Sequence, residues 1–97
     1  MEAAPIDELI RDIARAEKTT REDLLKDALG ALLREKRRAL QMDRLEVLRR
    51  YGVTSAAALE DKVRAGEIEE SPAWEDRIVL ENLEVAMARI ERDLASL

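Results

Sequence analysis

The side chains that most enzymes use for nucleophilic or acid–base catalysis are scarce in this chain. It contains no histidine and no cysteine, which excludes histidine-based triads, thiol nucleophiles and Cys/His zinc sites. Most of its hydroxyl groups stand where helix caps or turns are expected, and no spacing pairs a serine with a lysine base. The hydroxyl groups of the whole chain are those of Thr19, Thr20, Thr54, Ser55, Ser71, Ser96 and Tyr51. We therefore expect no enzymatic activity and no bound cofactor.

Carboxylates are the most abundant charged groups, with 22 Asp and Glu against 17 Lys and Arg and a net charge of −5. A carboxylate metal site in a helical bundle normally includes Glu-x-x-His motifs, which a chain without histidine cannot supply. Several carboxylates instead stand four residues before a basic side chain, the spacing of ion pairs on a solvent-facing helix. These pairs are Asp7–Arg11, Glu22–Lys26, Glu46–Arg50 and Glu60–Arg64. No metal site is predicted.

Basic side chains are concentrated in the middle of the chain. Residues 34–50 carry seven basic and three acidic side chains, between an acidic segment at 1–33 and a more acidic one at 51–97. Within it, residues 34–38 form a full helical turn without an apolar side chain. This turn is either a solvated joint between two packing units or, doubled in a dimer, a surface for the DNA backbone. The candidate nucleic-acid contacts are Arg34, Lys36, Arg37 and Arg38.

The elements that position these groups are predicted to be helices, because the chain is rich in helix-forming residues and has 2% aromatic residues and no Phe. The first helix runs from Pro5 to Ala16. The second is capped by Thr19 or Thr20 and ends at Tyr51 before Gly52. A short third helix near 55–65 follows a Thr54 or Ser55 cap and closes at Gly66. The fourth begins with Ser71 as its cap and Pro72 as its first residue.

The fold class is therefore all-α, with long helices in a helical hairpin or bundle. We predict an N-terminal helical pair at 1–33 as a dimerisation unit, a basic polar helical joint at 34–38 and a C-terminal helical hairpin at 39–97. One small chain cannot cover two such long helices on every side, so homodimerisation is expected to complete the core. The predicted dimer core consists of Ile6, Leu9, Ile10, Ile13, Leu25, Leu29, Leu32 and Leu33.

The last helix carries two features that could contact a partner. Trp74, with Glu75 and Asp76, lies near its start beside an acidic loop, as either a packing anchor or a recognition residue. Leu80 to Leu97 then form a heptad-like, coiled-coil seam that is either core, dimer seam or docking face. The candidate partner-binding residues are Trp74, Glu75, Asp76, Leu83, Met87, Ile90 and Leu94. No long apolar run predicts a membrane span and no N-terminal pattern predicts a signal peptide, so the cytoplasm is the expected location.

Two stretches resemble small prokaryotic antitoxins. Residues 6–38, with Thr20-Arg21-Glu22 opening the second helix, are similar to the helical pair with which such proteins dimerise and often hold DNA. Residues 50–83, with Arg50-Tyr51-Gly52-Val53, Gly66-Glu67-Ile68 and Trp74-Glu75-Asp76, resemble small helical proteins that look like the antitoxin halves of toxin–antitoxin pairs. Ribbon–helix–helix antitoxins read DNA with an N-terminal strand, whereas here only residues 1–4 precede Pro5. The resemblance therefore implies the helical pair without the DNA-reading ribbon.

Three functions follow as hypotheses. The first is a non-enzymatic antitoxin whose acidic C-terminal half binds and neutralises a basic toxin, since complementary potentials speed encounter and select partners. The second is a dimeric DNA-binding or nucleoid-associated regulator that uses the basic turn at 34–38. The third is a structural assembly subunit.

Overall fold

The computed structural model describes residues 5–97 and contains four helices. They are α1 (Pro5–Ala16), α2 (Arg21–Tyr51), α3 (Ala56–Arg64) and α4 (Glu70–Ala95). All regular structure in this part of the chain is helical, so the all-α prediction is confirmed. Residues 1–4, which bear on the expected lack of a signal peptide and of a DNA-reading strand, lie outside the described residues.

The ends of α2 are set by the residues that the sequence indicated. The Thr20 hydroxyl accepts a hydrogen bond from the Asp23 N–H at 3.0 Å and caps the helix. At the other end Gly52 takes up the left-handed conformation with φ 63°, which glycine adopts without steric cost. Between these ends α2 is one continuous helix of 31 residues. It passes without a break through residues 34–38, where the sequence alone could not decide between a continuous helix and a joint.

The start of α4 differs from the prediction. The helix begins at Glu70 with Glu69 at the cap position, which makes no side-chain capping hydrogen bond, so the predicted Ser71 cap is wrong. Gly66, at φ 76°, ends the turn after α3, and the chain re-enters a helix before it reaches Ser71. Pro72 is thus the third helical residue. It fits there because the N–H groups of a first turn have no partner within the helix.

The other three helices all pack against the long helix α2. Helix α4 lies antiparallel to it, as two interhelical ion pairs show: Arg37–Glu91 at 2.9 Å and Arg44–Glu84 at 3.1 Å. Helix α3 closes the end of this hairpin, with its Ser55 hydroxyl accepting from the Ala58 N–H. The core forms where these three helices meet and consists of Val47, Leu48, Ala56, Leu59, Ala73 and Leu80. Helix α1 packs against α2 alone and touches neither α3 nor α4.

The resulting molecule is elongated, measuring 63 × 26 × 18 Å with a radius of gyration of 20.1 Å. A compact chain of this length has a radius of gyration of about 12.5 Å. The accessible surface is 7328 Å², whereas a compact monomer of this mass exposes about 5600 Å². The long helices therefore leave much more surface in solvent than a small globular domain does.

Candidate protein-binding site

Trp74 lies in the second turn of α4 and is 53% exposed. Its neighbour Ala73, by contrast, is fully buried and fills the core between the helices. Trp74 is therefore not a packing anchor of the core within one chain. An exposed tryptophan offers a large rigid apolar face, and this residue type is enriched among interface hot spots.

A small pocket lies beside the indole, between α3 and α4. Its volume is about 170 Å³. Sites for drug-sized ligands occupy about 300–1,000 Å³, so this pocket suits one inserted side chain better than a small molecule. The lining is apolar at Val63, Ala73 and Trp74 and charged at the remaining positions, which are Glu60, Arg64, Glu70 and Arg77.

The two arginines of this pocket are neutralised by carboxylates of the same chain. Glu60 pairs with Arg64 at 2.8 Å and with Arg77 at 3.9 Å, and Arg77 also pairs with Glu81 at 3.0 Å. The segment around Trp74 keeps an excess of acidic groups, although Asp76 is paired with Arg50 of α2. Residues 67–76 contain five acidic side chains and no basic one. The indole thus stands in a negative field, which attracts cationic side chains.

Asp76 has a structural contact rather than a free carboxylate. It accepts a hydrogen bond from the Tyr51 hydroxyl at the end of α2 and lies 3.6 Å from the Arg50 guanidinium. Of the three partner-binding candidates near the start of α4, Trp74 and Glu75 are exposed and Asp76 is half-buried. The contact with Tyr51 was not predictable from local sequence patterns, because 25 residues separate the two partners.

We expect Tyr51 to titrate above its ordinary pKa of 10.0, because the hydrogen bond to Asp76 and then burial favour the protonated phenol. The folded state holds this proton more tightly than the unfolded state does. The stabilisation is therefore complete below pH 10.0 and is lost as the pH rises through the folded pKa. Absorbance titration reports this pKa cleanly, since the chain has one tyrosine. Asp76→Asn should lower it toward the ordinary value, and identical curves for both proteins would contradict the contact.

The predicted partner-binding seam of α4 is mostly covered within the chain. Ile90 is buried, and Leu83, Met87 and Leu94 are half-buried. What remains open is a shallow groove of about 500 Å³ between α2 and α4. It is lined by Leu33, Lys36, Ala39, Leu40, Ala86, Arg89, Ile90 and Asp93. The structure thus places the seam between helices and leaves Trp74 and Glu75 as the exposed candidates.

The basic side chains of residues 34–38 do not all lie on one surface. Arg37 pairs with Glu91 of α4, and Arg38 makes two hydrogen bonds to Glu35, at 2.9 and 2.6 Å, which lower the pKa of that carboxyl. The Arg34 guanidinium lies over Gly30, about 3.1 Å from where a Cβ would stand. Successive residues of a helix point about 100° apart. Arg34, Arg37 and Arg38, at i, i+3 and i+4, therefore share one side of α2, whereas Lys36 lies on the other. Of these four cations, Arg37 and Arg38 are neutralised by carboxylates of the same chain.

Most of the predicted i, i+4 ion pairs form. Glu22–Lys26, Glu46–Arg50 and Glu60–Arg64 are present, whereas Asp7 pairs with Arg21 across the α1–α2 turn at 3.4 Å instead of with Arg11. Among residues 5–97, no three acidic side chains are grouped so that they could hold a metal ion. In the same range, no helix has the length and hydropathy needed to cross a bilayer.

The predicted dimer-core residues are largely in solvent within one chain. Five of them, defined here as the N-terminal apolar face, are between 40% and 60% exposed: Ile6, Leu9, Ile13, Leu29 and Leu32. The other three, Ile10, Leu25 and Leu33, are half-buried. The chain therefore presents two unusual surfaces, the Trp74 region at one end and this apolar face at the other.

Comparison with known proteins bears on the family of the chain. No curated protein and no solved structure matches it. One family model covers residues 1–97. The chain therefore belongs to the Uncharacterized protein MJ0235 family.

Proposed function

We propose that the protein is a non-enzymatic binding module that recognises a basic protein partner through Trp74 and the acidic surface around it. The observation that carries the proposal is the half-exposed indole of Trp74 above a pocket sized for a single side chain. An arginine or lysine of the partner can lie against the indole face, and its stem can enter the pocket. The carboxylates of residues 67–76 favour such a cation over a neutral side chain.

The charges at this end give the site its selectivity. Because Arg64 and Arg77 are paired with Glu60 and Glu81, they repel an incoming cation less than free arginines would. Glu70 lines the pocket and is exposed, so it can pair with the partner directly. Long-range attraction to a basic partner speeds encounter, whereas the desolvated indole supplies the affinity.

In its specific form, the proposal is that the protein is a cytoplasmic antitoxin that binds and neutralises a cognate basic toxin. The resemblance of residues 6–38 and 50–83 to small prokaryotic antitoxins supports it, as does the net charge of −6 over residues 51–97. A toxin that cleaves nucleic acids needs a basic substrate surface. An acidic binding module can occupy that surface and block the substrate.

Co-expression with the product of the neighbouring reading frame tests the proposal. The wild type should co-purify with that product and relieve its toxicity. Trp74→Ala should weaken the complex by about 27-fold or more, because truncating a hot spot costs about 2 kcal/mol or more. The matched control is Val85→Ala, which shortens an exposed apolar side chain farther along α4. If no complex forms and the toxicity is not relieved, the proposal is wrong.

Two other functions give different outcomes. A dimeric DNA-binding or nucleoid-associated regulator would shift duplex DNA in a gel at low and moderate salt, and Arg37→Glu with Arg38→Glu would abolish the shift. The ion pairs of these two arginines with Glu91 and Glu35 favour the protein-binding proposal instead. A structural assembly subunit would form higher oligomers and respond to neither partner nor DNA.

A further inference from the structure

We infer that a second copy of this chain packs against the N-terminal apolar face, and that this contact holds α1 in place. The starting point is how little supports α1 within one chain. Isolated helices shorter than about 12–15 residues are marginal in water, and α1 has 12 residues, of which only Ala14 is buried. Its polar tie to α2 is the Asp7–Arg21 pair, and both side chains of that pair are about half exposed. Helix α1 therefore needs packing that its own chain does not provide.

The side chains that could provide this packing are turned outward. Ile6, Leu9 and Ile13 form one stripe of α1 at helical spacing, and each is at least 40% exposed. On the adjoining part of α2, Leu29 and Leu32 are exposed to a similar degree. Contiguous exposed apolar patches of a few hundred Å² are the largest that monomers normally carry, and they are often functional. An apolar surface of this kind marks an interface.

The exposed area matches what a dimer needs. The chain exposes 7328 Å², about 1700 Å² more than the estimate for a compact monomer of its mass. Each partner in a standard interface buries about 800 Å². A second copy can thus cover the N-terminal apolar face and still leave the Trp74 end free. The stripe also continues along α2 into the α2–α4 groove at Leu33, which widens the available contact.

The chemistry of this face fits an identical partner better than a basic one. A two-fold interface places the same patch of both chains together, so the patch must be self-complementary. The five side chains are all aliphatic, and several flanking charges are paired within the chain: Asp7–Arg21, Asp12–Arg15 and Glu22–Lys26. Pairing of these charges limits the like-charge repulsion between two copies, although the segment is acidic overall. A basic partner is attracted more strongly to the C-terminal half, which carries a net charge of −6 against −3 for residues 1–33.

Light scattering on charged variants tests the inference. Leu9→Lys and Leu32→Lys each place a cation at a position that is about half exposed in one chain, so the core of α2, α3 and α4 should stay folded. At micromolar concentration the wild type should have twice the chain mass of 11.0 kDa, and both variants should have the mass of one chain. Met42→Lys, at an exposed apolar position of α2 outside the face, is the control and should remain dimeric.

Two readouts keep the result unambiguous. Trp74 fluorescence reports the folding of the C-terminal hairpin, so an unchanged unfolding of that hairpin shows that the variants lost the dimer and not the fold. Trp74→Ala should leave the dimer intact, which separates this inference from the proposed function. A wild type with the mass of one chain, or Leu9→Lys and Leu32→Lys proteins that remain dimeric, would overturn the inference.

Discussion

Leu80→Ala should lower the free energy of unfolding by about 3 kcal/mol, within the 2–5 kcal/mol range of buried leucine truncations. Leu80 is fully buried and belongs to the cluster in which α2, α3 and α4 meet. Truncation removes apolar contacts and leaves a cavity that surrounding helices fill only in part. Domains of this size have a total stability of about 5–15 kcal/mol. The variant should therefore lose roughly a fifth to three-fifths of the total stability and unfold at a clearly lower urea concentration than the wild type.

Urea unfolding followed by circular dichroism measures this loss. Wild type and variant must be compared at one protein concentration, because association raises apparent stability. Val85→Ala is the matched control on the same helix, since Val85 is 69% exposed. Its stability should stay within about 0.5 kcal/mol of the wild type. A loss below about 1 kcal/mol for Leu80→Ala would mean that α4 does not pack at this point.

The second large effect concerns the hydrogen bonds that join α2, α3 and α4. The Arg44 guanidinium donates to Glu84 Oε1 at 3.1 Å and to the Thr54 carbonyl at 3.1 Å, and Glu84 also accepts from the Ala56 N–H at 3.3 Å. Glu84→Ala removes the shared acceptor and leaves the half-buried Arg44 with fewer partners. Hydrogen bonds to charged groups contribute about 1.5–3 kcal/mol each. Because both side chains are partly exposed, we expect a loss of about 1 to 2 kcal/mol.

A double-mutant cycle isolates this contact. Glu84→Ala, Arg44→Ala and the double variant should show a coupling free energy of at least about 0.5 kcal/mol, as for groups in one network. The control is Asp93→Ala, which removes the exposed partner of Arg89 on the same helix and should change stability little. If the two single losses simply add, the hydrogen bonds seen between α2 and α4 do not hold the hairpin together.

Local features of the fold were readable from the sequence. The bounds of α1 and α2 follow from Pro5, the Thr20 cap and Gly52, because each acts on its own backbone within a few residues. The predicted start of α4 was wrong, because it was taken from a residue type alone and not from the course of the chain before it. Ser71 is a favoured cap by type, yet the turn at Gly66 returned the chain to a helix one residue before it.

Contacts between distant residues were not readable. The turn at 34–38 was predicted to be a helical joint between two packing units because no face of it is apolar. In the structure it lies within the continuous helix α2, and Arg37 reaches Glu91, which is 54 residues away. The sequence favoured a packing role for Trp74 over partner recognition, whereas in the structure the smaller Ala73 occupies the core and Trp74 is half-exposed. Periodicity identifies an apolar stripe without saying which neighbour covers it. Hence the stripe of α4 faces the groove with α2, whereas that of α1 remains in solvent.

The central claim is that the N-terminal half of this chain is completed by a second copy, whereas the C-terminal hairpin is complete by itself. Hydrogen exchange of the wild type, measured across a range of concentrations, tests this claim most directly. We expect the amides of α1 to gain protection as the protein dimerises, whereas those of α3 and the core of α4 are protected throughout. Full protection of α1 at a concentration where the mass is that of one chain would contradict it.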